Sequence, residues 1–454
     1  MSENGIRDAR SLGAPKMFVL GLQHMFAMFG ATVLVPIITG LNVSVTLLFA
    51  GLGTLLFHLL TRGKVPAFLG SSFAFMGGYA MVRDYVNGAG VENWIPYAGV
   101  GVACAGLLYV LLAILFKAFG ARRVMRFFPP IVTGPIIICI GITLSNSAIN
   151  NCAANWWIAL VAIAVVIICN IWGKGMLKIV PILMGVLVSY VVAALCGQVD
   201  FTEFHQAAWI GLPVRGSETV FSLFNGGDAS LIISSLAFMV PIALATMVEH
   251  IGDICAISST VGQNFVADPG LHRTLLGDGL ATSMAALFGA PANTTYGENT
   301  GVLALTRVYD PRVIRIAAVL AVVFSFSPKF AALIHCMPTA TIGGVSLILY
   351  GMISAIGVRN VVENQVDFTR SRNVIIAALI ISLALGIHFS GALGCDTVNS
   401  TNGALSFTIG DISIKLSGLA VAAIVGIALN ALLPGNDYEF GKSELGDTSV
   451  NFKV

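Results

Sequence analysis

A few titratable side chains stand inside sequence that is otherwise apolar. Glu249, His250 and Asp253 fall in Met247-Val248-Glu249-His250-Ile251-Gly252-Asp253. Asp278 lies in the next such run, Glu298 follows Tyr296-Gly297, and His24 sits in Gly21-Leu22-Gln23-His24-Met25-Phe26. Within a membrane span each ionisable group costs at least about 2.5–3.5 kcal/mol, so each is a candidate for function. Glu249 and Asp253 are four residues apart and share one face of a helix, whereas His250 points about 100° away from Glu249. Carboxylates in a low-dielectric site can exchange protons near neutral pH and can accept hydrogen bonds from a ring with two N–H donors. A pyrimidine-dione has two such donors and two carbonyl acceptors.

Each residue also has an ordinary structural reading. Glu249 and Asp253, placed at the end of the apolar run 229–253, could cap that helix or sit in interfacial water. His24 could be a packing histidine bonded to a backbone carbonyl. Asp278 reads as a brace paired with polar neighbours, and His250 and His58 read as structural. Glu298 is the hardest to explain without a ligand.

The elements that must position these groups follow from composition. Of 454 residues, 57% are hydrophobic and 10% charged, far below the roughly 25% charged of a soluble domain. Such a chain needs lipid as its solvent. The net charge of +2 offers no footprint for nucleic acid. Eight scattered cysteines form no CxxC or CxxH pattern, so no metal or disulfide framework is expected. Residues 1–16 lack the pattern of a cleaved signal peptide and are expected to be a cytoplasmic N-terminus.

A spanning helix needs about 20 apolar residues. Apolar runs lie near 17–37, 43–61, 97–117, 128–147, 155–173, 178–197, 229–253, 313–335, 338–357, 372–390 and 415–434, with a shorter one at 273–290. Two more, near 66–82 and 291–306, are interrupted by Gly, Ser, Thr and Asn, which brings the expectation to roughly 14 crossings. With the N-terminus in the cytoplasm, every Lys and Arg except Arg83, Arg215, Lys329 and Lys415 falls on that side. Removing either interrupted segment flips everything after it and spoils this balance.

The interrupted segments resemble each other. Gly70-Ser71-Ser72-Phe73-Ala74 matches Asn293-Thr294-Thr295-Tyr296-Gly297 in character, and Phe73 and Tyr296 are 223 residues apart, about half the chain. Seven crossings separate them, so the second copy enters upside down. Paired broken segments in an inverted repeat point to the binding site of a transporter. Short Ser/Thr runs also recur by chance in membrane helices; the half-chain spacing and the charge balance argue against that reading here. Irregular backbone survives in hydrocarbon only where it pairs internally or lines a cavity. Two short extended pieces could pair with one another, and each break frees helix N-terminal amides that suit carbonyl or anionic groups.

At these residues the chain resembles the nucleobase–ascorbate transporter (nucleobase:cation symporter) family, and within it the bacterial uracil permeases. The resemblance runs from Gln23-His24-Met25-Phe26-Ala27-Met28-Phe29-Gly30-Ala31-Thr32 to the last span. The family motif appears as Glu298-Asn299-Thr300-Gly301 through Thr306-Arg307, with Glu298 where purine carriers usually have Gln. Asp268-Pro269-Gly270-Leu271-His272-Arg273 and Gly343-Gly344-Val345-Ser346-Leu347 also match.

The resemblance implies an all-α membrane fold of 14 segments in two inverted seven-span repeats. A core domain would comprise 17–118 and 229–336, and a gate domain 128–198 and 338–434, followed by a cytoplasmic tail at 435–454. Glu249 and Glu298 would bind uracil, amides at Phe73 and Gly297 would meet its carbonyls, and Ala31, Tyr296 and Tyr350 would pack around the ring. Proton coupling would fall to Glu249, Glu298, Asp253 and His24. No cofactor or metal is implied. The expected setting is a homodimer through the gate domains in the bacterial inner membrane, with elevator-like movement of the cores. In one respect the sequence departs: some relatives have a histidine where Asp253 stands, so a relay role for that histidine does not transfer unchanged. The same-fold alternatives are a purine carrier for xanthine or urate, and sodium coupling. An anion carrier or channel fits poorly with glutamates at the site, and no nucleotide loop, nucleophile elbow or metal cluster points to an enzyme.

Overall fold

The computed structural model describes residues 5–390, 404–409 and 412–435. Most of the chain is helical, as backbone in hydrocarbon must be when it has no water to bond. The main helices of the first part are α1 (Ala14–Thr39), α2 (Val43–Leu60), α3 (Met76–Gly88), α4 (Ile95–Phe119), α5 (Pro130–Cys152), α6 (Trp156–Ile171) and α7 (Pro181–Leu195). Those of the second are α8 (Ala229–Met239), α9 (Ala243–Val261), α10 (Leu271–Leu287), α11 (Gly297–Thr306), α12 (Pro311–Ser325), α13 (Pro328–His335), α14 (Thr339–Glu363), α15 (Ser371–Ser390) and α16 (Gly418–Leu432). Among the described residues, seven helical stretches are long and apolar enough to cross a membrane: α1, α2, α4, α5, α8 with α9, α14 and α15. The bent pair α12–α13 makes an eighth.

Three expectations change. The run 313–335 is two helices bent by 88° rather than one straight span. Ser327 caps the second by accepting from the Phe330 amide, and Pro328, which has no amide to continue a helix, occupies its first position. The run ending at 253 continues as helix to Val261, where left-handed Gly262 stops it. Glu249 and Asp253 are therefore mid-helix, and neither caps its end. Finally, the run from 415 begins as strand: β3 (Ala404–Ile409) and β4 (Ile412–Ser417) form an antiparallel hairpin, and helix starts only at Gly418.

Two other short strands, β1 (Leu69–Ser71) and β2 (Asn293–Thr295), pair antiparallel with Leu69 opposite Thr295 and Ser71 opposite Asn293. The surrounding helices satisfy their backbone groups. Ser72 N donates to Ala292 O at 2.8 Å and Tyr296 N to Phe68 O at 3.0 Å. The Thr54 hydroxyl meets Leu69 N at 2.9 Å, Thr282 Oγ1 donates to Asn293 O at 2.9 Å, and the Tyr79 hydroxyl accepts from Ala292 N at 2.9 Å. Each such group left unpaired in hydrocarbon costs several kcal/mol, which explains the Ser, Thr and Tyr around the crossing.

Around it, α4 packs on α8 and α10, α2 on α10 and α12, and α1 on α12. Elsewhere α14 lies along α5 and α6, and α15 along α5 and α16. The approach of α5 to α14 depends on glycine. A Cβ on Gly141 would run into the Tyr350 carbonyl and stand 2.8 Å from Ser354 N; one on Gly357 would stand 2.8 Å from Gly134 O. Small residues let membrane helices meet backbone to backbone.

The N-terminal segment, expected only as a polar terminus, docks on the helix ends. Ile6 bridges Val308, and Ala9 N donates to Asp310 Oδ2 at 2.8 Å. Of the expected tail at 435–454, everything beyond residue 435 lies outside the described residues.

Candidate functional site

The strand crossing gathers most of the candidate residues. Half-buried Glu249 and Asp253 lie one turn apart on α9. Asp253 Oδ2 accepts from Thr295 Oγ1 at 2.8 Å, which ties α9 to β2. His250 turns away, as its position on the helix requires. Its Nδ1 lies 2.8 Å from Asp278 Oδ2 on α10, with both side chains sealed from solvent. Asp278 is thus a brace between two helices. His58 is likewise structural, with Nε2 2.9 Å from Ala67 O.

Helix α11 starts at Gly297 straight from β2, and no side chain caps its first amides. Such an end presents free N–H groups and a partial positive charge to whatever lies before it. Glu298 is the second residue of this helix; its side chain lies outside what the structure describes. Asn299, the third, brings Nδ2 to 3.2 Å from His24 Nδ1 and donates to His24 O at 3.2 Å. His24 is therefore joined to α11. The Tyr296 ring is buried over Gly70, with its hydroxyl donating to Ser71 O at 3.0 Å and accepting from Thr32 Oγ1 at 3.4 Å. Ala31, also buried, precedes Thr32 on α1.

Phe73, just past β1, meets Tyr350 of α14 edge to face, with ring centres 5.6 Å apart. The Tyr350 hydroxyl lies 3.8 Å from Met76 Sδ. Both rings are buried, and together with Met76 they form one packed layer. A cleft of about 270 Å³ reaches Asp253 and Gly297, with Thr300 on the same wall and Thr133, Arg359 and Asn360 opposite. It lies along the start of α5. A second cavity, of about 340 Å³, lies along the far end of α5 and has Met76 in its wall.

Sequence reasoning missed Thr295 as the partner of Asp253, although Thr295 lay within the recognised hydroxyl pattern. It also missed Asn360, whose Nδ2 donates to Thr133 Oγ1 at 3.2 Å; nothing local marks that pair. Among the described residues no group of three His, Cys, Asp or Glu side chains could hold a metal.

Apolar spans folded around two internally paired breaks, with Asp253 bonded to one of them and a cleft reaching the junction, define an integral multi-pass membrane protein. A family profile for xanthine/uracil permeases, described as Permease family, matches residues 15–393. The chain belongs to this family, the nucleobase–ascorbate transporters. The uracil permease of Bacillus caldolyticus is 40% identical over 439 residues, covering 95% of this chain and 94% of the relative. That of Bacillus subtilis (strain 168) is 39% identical over 464 residues, covering 99% and 98%. The putative pyrimidine permease RutG of Escherichia coli (strain K12) is 36% identical over 425 residues, covering 91% and 89%. These relatives are permeases, not enzymes. Among solved structures, the transmembrane domain of a cyanobacterium bicarbonate transporter, BicA, superposes with a TM-score of 0.63 at 16% identity, covering 86% of this chain and 99% of that one. SLC26A9 gives 0.63 at 12% identity, covering 92% and 64%. At such identities the likeness shows the fold alone.

Proposed function

We propose that the chain takes up uracil by proton symport. The observation that carries this reading is the crossing itself: the uncapped start of α11 and Asp253 of α9 line one cleft at the paired breaks. Glu249 and Glu298 accept from the ring N–H groups, and the amides at Phe73 and Gly297 donate to its carbonyls. Ala31, Tyr296 and Tyr350 surround the ring, with Tyr296 held by Ser71 as a floor. The uracil permeases among the relatives support this choice of substrate.

The two cavities suit alternating access, with the 270 Å³ cleft open to the cytoplasm and the packed layer of Phe73, Tyr350 and Met76 acting as a septum closed to the outside. On this reading α1–α4 and α8–α13 belong to a core that moves elevator-like against a gate of α5–α7 and α14–α16. The 14 segments form inverted repeats, whose two breaks pair antiparallel as β1 and β2 do. Both termini are cytoplasmic, the membrane is the bacterial inner membrane, and the gate domains join two copies. Proton exchange runs through Glu249, Glu298 and Asp253, with His24 in support.

Uptake of radiolabelled uracil into proteoliposomes tests the proposal. It should rise with an inward proton gradient; dependence on a sodium gradient instead overturns the coupling. Glu298→Gln removes a charge-assisted hydrogen bond worth about 1.5–3 kcal/mol, so affinity should fall roughly 10- to 150-fold. Unchanged affinity overturns the site.

A further inference from the structure

The four basic residues that break the charge sidedness meet different fates. Arg215 pairs with Glu218 at 3.1 Å. Lys329 Nζ stands 4.9 Å and 5.0 Å from the ring centres of Phe204 and Trp209. Lys415 Nζ stands 5.5 Å from those of Tyr85 and Phe238. Among the described residues Arg83 pairs with Asp84, its sequence neighbour, at 3.4 Å, an exposed contact that water and salt screen. Arg83 also lines the second cavity.

Across that cavity from Arg83, α5 presents Asn146, Ser147 and Asn150. The two asparagines are four residues apart and share a helix face. None of these three side chains has a hydrogen-bonding partner among the described residues. A primary amide offers a carbonyl acceptor and two N–H donors side by side, and a guanidinium adds five donors. That set matches the edge of a neutral ring in which N–H and C=O alternate. The cavity's 340 Å³ lies within the roughly 300–1,000 Å³ usual for small-ligand sites. Met76 belongs both to its wall and to the septum, so a ring held here rests against the barrier over the inner site.

We infer that this outer cavity is a capture subsite for the cyclic imide substrate, in which Arg83 donates to ring carbonyls and Asn146 and Asn150 pair with the N–H and C=O edge. The inference rests on the uracil reading and on the orientation proposed with it. It adds a second station, outside the septum, at which selection begins before the inner site is reached.

The test uses two kinds of variant. Asn146→Ala/Asn150→Ala and Arg83→Gln remove the polar partners. Gly77→Leu adds bulk to the cavity wall on α3, at a position where a Cβ would meet nothing within 4 Å. Initial rates of uracil uptake from the outside give KM and kcat, and thermal shift of the purified protein gives inner-site affinity. A lost hydrogen bond changes an equilibrium by about 2- to 12-fold. The polar variants should therefore raise KM about fivefold or more, with kcat and thermal-shift affinity held within about twofold, and Gly77→Leu should cut uptake in the same pattern. If the wild type takes up uracil and all variants keep its KM, the outer subsite alone is overturned. A wild type that takes up no uracil overturns the substrate reading and this inference with it.

Discussion

Replacing Gly141 by alanine tests whether the close seam between α5 and α14 holds the septum in place. The new Cβ would stand 2.8 Å from Ser354 N, while ordinary contact begins near 3.4 Å, so the helices must part by at least 3.4 − 2.8 = 0.6 Å. The Tyr350 carbonyl is in the same collision, and its ring forms half of the septum with Phe73. Overpacking of this kind costs about 1–3 kcal/mol. Alanine in place of glycine also favours a helix by about 0.8–1.0 kcal/mol, which would mask part of the loss. Gly351→Ala supplies the control, because it lies on the same helix α14 as Tyr350 and its Cβ would meet nothing within 4 Å. Both variants share the helix gain, so their difference isolates the packing cost. For a chain of 454 residues, 1–3 kcal/mol corresponds to about 1–3 °C in the unfolding midpoint. Thermal unfolding in detergent should rank Gly351→Ala above Gly141→Ala by that margin, and uptake should fall only in Gly141→Ala. A midpoint for Gly141→Ala equal to or above that of Gly351→Ala refutes the reasoning.

Two further outcomes follow from the crossing. Thr295→Val removes the hydroxyl that Asp253 accepts from, a bond to a charged group worth about 1.5–3 kcal/mol; its midpoint should drop, while Asp253→Asn, which keeps an acceptor oxygen, should drop less. Tyr79→Phe leaves the Ala292 amide without its 2.9 Å acceptor, which should cost about 1–3 kcal/mol and show as faster hydrogen exchange around residue 292 than in wild type.

The crossing was legible because its chemistry is local. Backbone that leaves a helix inside lipid needs Ser, Thr or Asn nearby, and those residues stand out against apolar runs at 70–74 and 293–297. The shared face of Glu249 and Asp253 was equally readable from spacing. Their role at a helix end was not, because Ile254, Cys255 and Ala256 can continue a helix or leave it, and only Gly262 ends it. The bend before Pro328 was signalled by the proline, yet the apolar run 313–335 outweighed it. Alternation in Leu405-Ser406-Phe407-Thr408-Ile409 marks a strand, a pattern that the apolar run after it obscures. Docking of the N-terminal segment rests on the Ala9–Asp310 bond across 301 residues, and no local pattern encodes a contact at that distance.

The pairing of β1 with β2 also sets an order of events during synthesis. Ser71 leaves the ribosome 293 − 71 = 222 residues ahead of its partner Asn293. At about 5–20 residues per second, the first break waits roughly 11 to 44 s before the strand that completes it exists. During that interval α3–α10 are made, while the backbone of residues 69–71 lacks its partner strand. The two halves are therefore not independent modules joined end to end: the first is left unfinished at its centre, and the second arrives carrying the missing piece.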